Sequence, residues 1–158
     1  LITHMHGDHT ADVPFFLNCK PARCRGIGEQ IENIFVKNNY HVLIVKPRGG
    51  CSTEAIYKLC DDYTLKTCDI DAVVKALENG DDETLGNIIS NALYEPALSL
   101  VPEMQTIINR LKTAGLHIVG MSGSGSSIFA LSTDLKLIKK VGKTFEDQYL
   151  YEIAEVIK

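Results

Sequence analysis

The sequence predicts an α+β domain in which helices pack on one face of an antiparallel sheet. Three patterns indicate this class. A continuous β-branched run at residues 40–45 is typical of a buried strand, and apolar positions at helical spacing fill the region between residues 70 and 111. Two short apolar runs, at residues 116–121 and 127–131, flank a turn. The chain has 158 residues, 45% of them hydrophobic, so it can bury one core.

The first elements are predicted to be extended. Residues 15–17 open a short extended stretch, and residues 22–27 form another that is broken by glycines. The buried strand at residues 40–45 follows, and the segment KPRGG at residues 46–50 closes it.

Helices are expected in the middle of the chain. Ser52 or Thr53 is expected to cap the first helix. Asp69 or Asp71 is expected to cap the second, which ends at residues 79–80, an Asn-Gly pair typical of a helix terminus.

Two further helices are predicted before the pattern changes. Apolar residues repeat at helical spacing over residues 85–93, and Pro96 is expected to interrupt this pattern. Another helix runs from about Pro102 and stops at Gly115.

The last part of the chain is predicted to begin with a hairpin. Its strands are residues 116–121 and 127–131, and its turn is residues 122–126. Asp134 then begins the final helix, and residues 148–156 alternate enough to finish as a strand.

The composition excludes several classes of protein. The formal net charge is −4, from 16 Lys and Arg against 20 Asp and Glu, which disfavours a nucleic-acid-binding module. No apolar run approaches the roughly 20 residues that span a bilayer, so we expect a soluble protein with no membrane partner. The first residues lack the regions of a signal peptide, and five irregularly spaced cysteines suit a reducing compartment. We therefore expect a cytoplasmic protein.

A loop of glycines and serines joins the two strands of the predicted hairpin. Its residues are Ser122, Gly123, Ser124, Gly125 and Ser126. Glycines let a backbone approach a ligand closely, and consecutive N–H groups can cradle an anion. A tight hairpin turn is the alternative, since small residues are common in turns. The local sequence leaves both interpretations open.

Five segments occur in a particular order along the chain. They are ADVPFFL (11–17), RCRGIGE (23–29), KPRGGCST (46–53), NALYEP (91–96) and SGSG (122–125). Together they resemble the carboxy-terminal half of the bacterial 4-diphosphocytidyl-2-C-methyl-D-erythritol kinases, members of the GHMP kinase superfamily. The resemblance covers residues 11–158, and the order of the segments makes it specific although each motif alone is weak.

The resemblance implies a fold, a reaction and roles for particular residues. The fold would be the ferredoxin-like carboxy-terminal domain of GHMP kinases. The intact enzyme would use ATP and Mg²⁺ to phosphorylate a small-molecule substrate, a diphosphocytidyl sugar alcohol of non-mevalonate isoprenoid synthesis. By the same resemblance Asp12 would be the general base, and the loop at residues 122–126 would pack against the phosphate-binding loop and help shape the active site. A carboxylate suits the role given to Asp12, because it can accept the proton of an attacking alcohol.

Each of these residues also has a purely structural interpretation. Asp12, two residues before a proline, also suits a turn. Ser52 and Thr53 correspond to a segment near the substrate pocket of such kinases, and we interpret them first as helix-capping residues.

The ATP-binding half of that family has no counterpart in this sequence. The family's glycine- and serine-rich loop leads into a helix and lies in the amino-terminal half, together with a catalytic lysine. No segment of the type Pro-x-x-x-Gly-Leu-Gly-Ser-Ser occurs among these 158 residues. We therefore expect the chain alone to be inactive as a kinase and to need that half as a partner. Without it, apolar side chains within residues 11–28 would be exposed, which suggests a homodimer through this segment.

The first ten residues carry a different motif. His4, His6, Asp8 and His9 fit the HxHxDH pattern of the metallo-β-lactamase superfamily. This resemblance implies that they are zinc ligands, with alternate histidines on one ion and the Asp–His pair on a second. A complete site also needs a bridging carboxylate and two further histidines on later strands, held by a scaffold. We therefore interpret residues 1–10 as a leader or fusion segment of a chimera.

Three functions from different classes remain open. The first is a partial kinase whose domain is residues 11–158. The second is a zinc-dependent hydrolase of metallo-β-lactamase type, built on residues 1–10. The third is an inert or interaction-only domain. Metal analysis, and the effect of a chelator on any hydrolysis, distinguishes the hydrolase from the kinase.

Overall fold

A computed structural model describes residues 19–26, 30–65 and 68–157 of the chain. In these ranges the protein forms six strands and six helices. The strands are β1 (Ala22–Arg25), β2 (Gln30–Asn33), β3 (His41–Lys46), β4 (Ile118–Met121), β5 (Ile128–Ser132) and β6 (Leu150–Glu155). The helices are α1 (Thr53–Cys60), α2 (Ile70–Asn79), α3 (Asp82–Ile88), α4 (Tyr94–Leu100), α5 (Glu103–Thr113) and α6 (Leu135–Lys143). The extended stretch predicted at residues 15–17 lies outside the described residues.

Four strands form one antiparallel sheet in the order β4-β5-β3-β6. Leu43 lies near its centre, opposite Ala130 of β5 on one side and Ile153 of β6 on the other. Strands β1 and β2 form a separate antiparallel pair. The predicted α+β class with an antiparallel sheet is confirmed. Helices pack on both faces of this sheet, however, and not on one face as predicted, because two separate core clusters form against it.

The larger core cluster lies on the sheet face that carries Leu43. Four helices contribute to it, α1 through Ile56, α4 through Ala97, α5 through Ile107 and α6 through Ile138. All five side chains are completely buried. Full burial of a leucine or isoleucine side chain is worth about 1.5–3 kcal/mol, and the alanine adds less, so these contacts hold the helices against the sheet.

A second core cluster forms on the opposite side of the same strands. Phe129 and Leu131 alternate with Ala130 along β5, and they pack with Val73 of α2 and Leu85 of α3. Strand β5 therefore buries side chains on both faces, which explains why its residues 128–131 are all apolar.

Polar residues cap three helices in the way that the sequence predicts. Ser52 caps α1 and accepts a hydrogen bond from the Ala55 amide at 3.4 Å. Asp69 caps α2 and accepts one from the Ala72 amide at 3.0 Å. Asp134 caps α6 through two first-turn amides. Where the sequence left two candidates open, the earlier residue is the cap.

Two expectations about local structure are wrong. The helix predicted over residues 85–93 ends at Ile88, and Pro96 lies inside α4 instead of interrupting a helix. Pro96 belongs to the first turn of α4, where backbone N–H groups have no intrahelical partner, so a proline is tolerated there. In addition, β2 is a strand that the sequence does not predict, because its residues (QIEN) are mostly polar.

The described helices have one buried and one exposed face. Helix α6 buries Ile138 and Val141, whereas Lys139, Lys140 and Lys143 are exposed. Within the described ranges of the chain, no helix combines the length and the apolar character that crossing a membrane requires.

Candidate functional site

The glycine- and serine-rich loop connects β4 to β5, as the sequence predicts. The backbone N–H of Ser122 donates to the carbonyl of Ser127 at 2.9 Å, which continues the ladder of the two strands. The N–H of Gly125 donates to the carbonyl of Ser122 at 2.9 Å and closes a tight turn. The loop therefore has the geometry of a tight hairpin turn, and three side-chain attachments hold it in place.

Glycine is required at one position of this loop by its surroundings. Gly125 has φ of +90°, and a Cβ atom there would lie 2.8 Å from the Met121 Sδ atom and 3.5 Å from the Ala97 Cβ atom. Gly123 also has positive φ, +55°, but the space around it is open. A side chain at Gly125 would therefore meet both backbone strain and a steric contact.

Ser126 attaches the loop to the segment that follows β3. Its side chain is 3% exposed, and its hydroxyl donates to the Gly49 carbonyl at 2.7 Å. Because a buried hydroxyl without a partner is costly, this hydrogen bond fixes the end of the loop against residues 46–50.

A second attachment joins the loop to the first turn of α1. The hydroxyls of Thr53 and Ser124 lie 3.1 Å apart and share a hydrogen bond. Ser52 acts as the cap of that helix, so the neighbouring Thr53 hydroxyl is free to reach the loop. The capping interpretation is thus right for Ser52, and Thr53 has a different role.

The third attachment is Asn91, in the connection between α3 and α4. Its Nδ2 atom donates to the carbonyl of Met121 at 3.1 Å and to the carbonyl of Gly123 at 2.8 Å. Its Oδ1 atom accepts from the Leu93 amide at 2.9 Å. Sequence reasoning did not single out Asn91 as a site residue. The sequence names Asn91 only as the first residue of the NALYEP segment, and an asparagine that accepts from the amide two residues later forms an Asx-turn.

Three segments that the sequence singled out therefore meet at one place. Residues 46–53, 91–96 and 122–125 are far apart in the chain, and side-chain hydrogen bonds join them around the loop. Each of these contacts uses hydroxyl, amide and carbonyl groups. Such groups orient a loop without adding charge to it.

The thiols of Cys51 and Cys60, in and near the segment 46–53, are protonated near neutral pH. Burial raises the pKa of the Cys51 thiol, and burial followed by the negative charge of Asp61 raises the pKa of the Cys60 thiol. A thiol must ionise to act as a nucleophile. Both side chains pack against the larger core cluster, so the structure gives these two cysteines a packing role.

A cleft of about 270 Å³ adjoins the loop beside Asn91 and Met121. Tyr94 and Gln105 border it, and the Tyr94 hydroxyl donates to the Gln105 Oε1 atom at 3.0 Å. A larger cleft of about 550 Å³ lies at the other end of the β4–β5 hairpin, where Ile118 contributes to its wall. The smaller cleft shares residues with the candidate site and the larger one does not.

Several predicted site residues fall outside the described part of the chain. These are the proposed base Asp12 and the proposed zinc ligands His4, His6, Asp8 and His9. Among the residues that the structure does describe, no group of three or more His, Cys, Asp and Glu side chains could hold a metal ion. The zinc hypothesis rests on residues 1–10 alone and stays a prediction. The described side chains that hydrogen-bond the loop include no carboxylate, the protein group through which Mg²⁺ is usually bound.

Comparison with known proteins relates the chain to one superfamily of kinases. Residues 73–149 match the family described as GHMP kinases C terminal. The chain is 32% identical over 136 residues to the 4-diphosphocytidyl-2-C-methyl-D-erythritol kinase of Pelotomaculum thermopropionicum, covering 85% of this chain and 47% of that protein. It is 37% identical over 134 residues to the enzyme of that name from Carboxydothermus hydrogenoformans, covering 84% and 46%. The chain thus spans about half the length of the curated relatives that it matches.

Solved structures with the same fold include a crystal structure of 4-(cytidine 5'-diphospho)-2C-methyl-D-erythritol kinase. The TM-score is 0.76 at 26% identity, over 93% of this chain and 53% of that one. A homoserine kinase from Cytophaga hutchinsonii has a TM-score of 0.69 at 18% identity, over 85% and 47%, and shows the fold alone. Sequence and fold lead to the same family, and this chain contains a GHMP kinase C-terminal domain.

Proposed function

We propose that the chain is the carboxy-terminal part of a 4-diphosphocytidyl-2-C-methyl-D-erythritol kinase. The observation that carries this proposal is the identity of about one third, over most of the chain, to enzymes of that name. The reaction would transfer the γ-phosphoryl group of ATP to a hydroxyl group of a diphosphocytidyl sugar alcohol. GHMP kinases generally use ATP and Mg²⁺, and in this proposal both are held together with the other half of the enzyme.

Two parts of the chain would contribute to this reaction. Asp12 would accept the proton of the substrate hydroxyl as that oxygen attacks phosphorus. The loop at residues 122–126 would form one wall of the site. Its attachments to Gly49, Thr53 and Asn91 support this role, because a wall held from three sides keeps its position during the reaction.

The proposal predicts that a polypeptide of these 158 residues has no kinase activity by itself. Phosphoryl transfer depends on positioning and on charge stabilisation by groups around the phosphates. The described groups that contact the loop are uncharged. The necessary cations would therefore come from the amino-terminal half of the enzyme.

A reconstitution experiment tests the proposed function. The amino-terminal half of the Pelotomaculum relative would be fused to this chain, and ATP-dependent phosphorylation of the diphosphocytidyl alcohol would be measured. We expect activity from the fusion, none from the chain alone, and loss of activity with Asp12→Asn. Asp62→Asn, which neutralises an exposed carboxylate, is the matched control and should remain active.

Two results would overturn the proposal. One is a folded fusion that binds ATP but does not phosphorylate this alcohol. The other is a fusion that is active and keeps its activity when Asp12 is replaced by Asn, which would remove the proposed base from the mechanism.

We also propose that the isolated polypeptide forms a homodimer through residues 11–28, most of which lie outside the described residues. The proposal rests on the apolar side chains of Phe15, Phe16 and Leu17 in that segment. Light scattering at micromolar concentration should give the mass of a dimer, and Phe16→Asp should give a monomer. A wild-type monomer would contradict the proposal.

A further inference from the structure

We propose that Asn91 is a positioning residue for the loop at residues 122–126. Its amide would hold the first half of the loop in the conformation that the proposed phosphoryl transfer requires. The effect on phosphoryl transfer rests on the proposed function. The contact between Asn91 and the loop does not, because it lies within this chain.

The side chain of Asn91 reaches both carbonyls that flank Ser122. The Nδ2 atom is 3.1 Å from the Met121 carbonyl oxygen and 2.8 Å from the Gly123 carbonyl oxygen. One amide group therefore satisfies the last carbonyl of β4 and a carbonyl within the loop. The two carbonyls turn toward the same point because both use the same donor group.

The orientation of the Asn91 amide is determined by a separate contact. Its Oδ1 atom accepts a hydrogen bond from the Leu93 N–H at 2.9 Å, and its own backbone carbonyl accepts from the Tyr94 N–H at 3.0 Å. Exchanging the oxygen and nitrogen atoms would place an acceptor against two carbonyls and a donor against an N–H group. The Asn91 amide therefore donates toward the loop. The hydrogen bonds from the Leu93 and Tyr94 amides, at the start of α4, hold Asn91 in this orientation.

The other two attachments hold a different part of the loop. Ser124 and Ser126, in its second half, bond to Thr53 and Gly49. Ser122 and Gly123, in its first half, are exposed. Among the side chains that the structure describes, Asn91 is the one that hydrogen-bonds this first half. Losing its donor would leave the first half held by backbone hydrogen bonds alone, while the second half would keep its side-chain attachments.

Two substitutions separate the donor from the shape of the side chain. Asn91→Asp keeps the size of the side chain and its acceptor for Leu93, but it places a carboxylate against two carbonyl oxygens. Asn91→Ala removes the contact without adding charge. Asn109→Asp is the matched control, because it introduces the same charge at an exposed position of α5.

Nuclear magnetic resonance of the full 158-residue chain provides the direct test. We expect the carbonyl ¹³C resonances of Met121 and Gly123 to shift upfield together in both Asn91 variants. We also expect hydrogen exchange of the Ser122 and Gly125 amides to accelerate about tenfold or more, as the loss of a hydrogen bond implies. The core amides of β3 and β5 should keep their protection, and Asn109→Asp should leave all of these signals unchanged.

Failure of this inference can be told apart from failure of the proposed function, because the resonance and exchange measurements do not depend on kinase activity. Unchanged carbonyl shifts and loop exchange in Asn91→Asp would overturn the inference, and so would an equal loss of protection in the core. In the active fusion protein, Asn91→Asp should lower kcat at least tenfold with little change in KM for the alcohol. An active fusion whose kcat is unchanged would overturn the functional part. An inactive wild-type fusion would count against the proposed function, while the resonance data would still decide the role of Asn91.

Discussion

Gly125 and Ser126 are neighbours in the loop, and different forces determine which residue can occupy each position. Ser126 is buried and its hydroxyl must find a partner, which it does at the Gly49 carbonyl. Gly125 must lack a side chain, because its φ is +90° and Met121 occupies the space that a Cβ atom would need. The order of these two residues is therefore set by their surroundings and cannot be reversed.

The different surroundings of the two loop glycines lead to a prediction about stability. Gly123→Ala meets only the strain of a left-handed backbone, worth about 1–2 kcal/mol. Gly125→Ala meets backbone strain and the Met121 contact at 2.8 Å as well, so it should lower the free energy of unfolding more. Urea denaturation of both variants measures the difference. Equal effects would show that Met121 moves aside without cost.

Tyr40 gives the protein a predictable response to alkaline pH. Its side chain is 2% exposed and its hydroxyl donates to the Asp82 carboxylate. Burial, together with that hydrogen bond, raises the pKa of Tyr40 to about 12. The folded state therefore holds the phenol proton more tightly than the unfolded state. This contribution to stability is complete below about pH 10 and is lost as the pH rises toward about 12.

Tyr40→Phe should reduce this pH dependence. The variant lacks the titrating group, so its free energy of unfolding should fall less than that of the wild type between about pH 9 and about pH 11. Part of the dependence should remain, since burial also raises the pKa values of Tyr57, Tyr94 and Tyr149. Urea denaturation at the two pH values measures the slope. An unchanged slope would mean that Tyr40 titrates as it does in the unfolded chain.

Three helices in the described part of the chain begin at a residue whose side chain caps them, and this is why the sequence predicts where they start. Ser52, Asp69 and Asp134 each accept hydrogen bonds from amides in the first turn of the helix that follows. A capping residue acts within three positions, so its effect is visible in the sequence. Strand β2 has no such signal, because it is defined by backbone pairing with β1 and not by its side chains.

The cap of α6 should be the stronger of two caps. Asp134 accepts hydrogen bonds from the Lys136 and Leu137 amides at 2.8 and 3.1 Å, whereas Ser52 accepts one bond at 3.4 Å. Caps of this kind are worth about 0.5–2 kcal/mol, and a carboxylate also favours the positive end of a helix. Asp134→Ala should therefore cost more stability than Ser52→Ala in thermal unfolding. Asp134→Asn, which keeps an acceptor, should recover most of the loss, and a full loss with Asn would assign the effect to charge.

The candidate site was predicted in part, and the missing part has a physical cause. The loop at residues 122–126 could be found from its composition, and its position between two strands is correct. The role of Asn91 could not be found, because it bonds to carbonyls that lie 30 and 32 residues further along the chain. The order of the motifs indicated that the segments belong together, but the contacts that join them are tertiary.

The two core clusters share strands of the four-stranded sheet, and we expect this sheet and the helices packed on it to unfold as one cooperative unit. Leu43 belongs to the cluster on one face and Leu85 to the cluster on the other. Neighbouring residues of β5, Ala130 and Leu131, contribute to opposite clusters. Loss of packing on either face therefore weakens the same sheet, and neither set of helices can detach without exposing strand residues to water.

Truncations in the two clusters should therefore lower one common unfolding transition. Leu43 and Leu85 are both completely buried, so Leu43→Ala and Leu85→Ala should each cost about 2–5 kcal/mol. Leu150, which is 76% exposed, is the matched control, and its replacement by Ala should change stability by less than about 0.5 kcal/mol. Far-ultraviolet circular dichroism and tyrosine fluorescence should give coincident urea transitions for all three variants. If Leu85→Ala instead produces two separate transitions, α2 and α3 form an independent unit, and the shared strands do not couple the two faces.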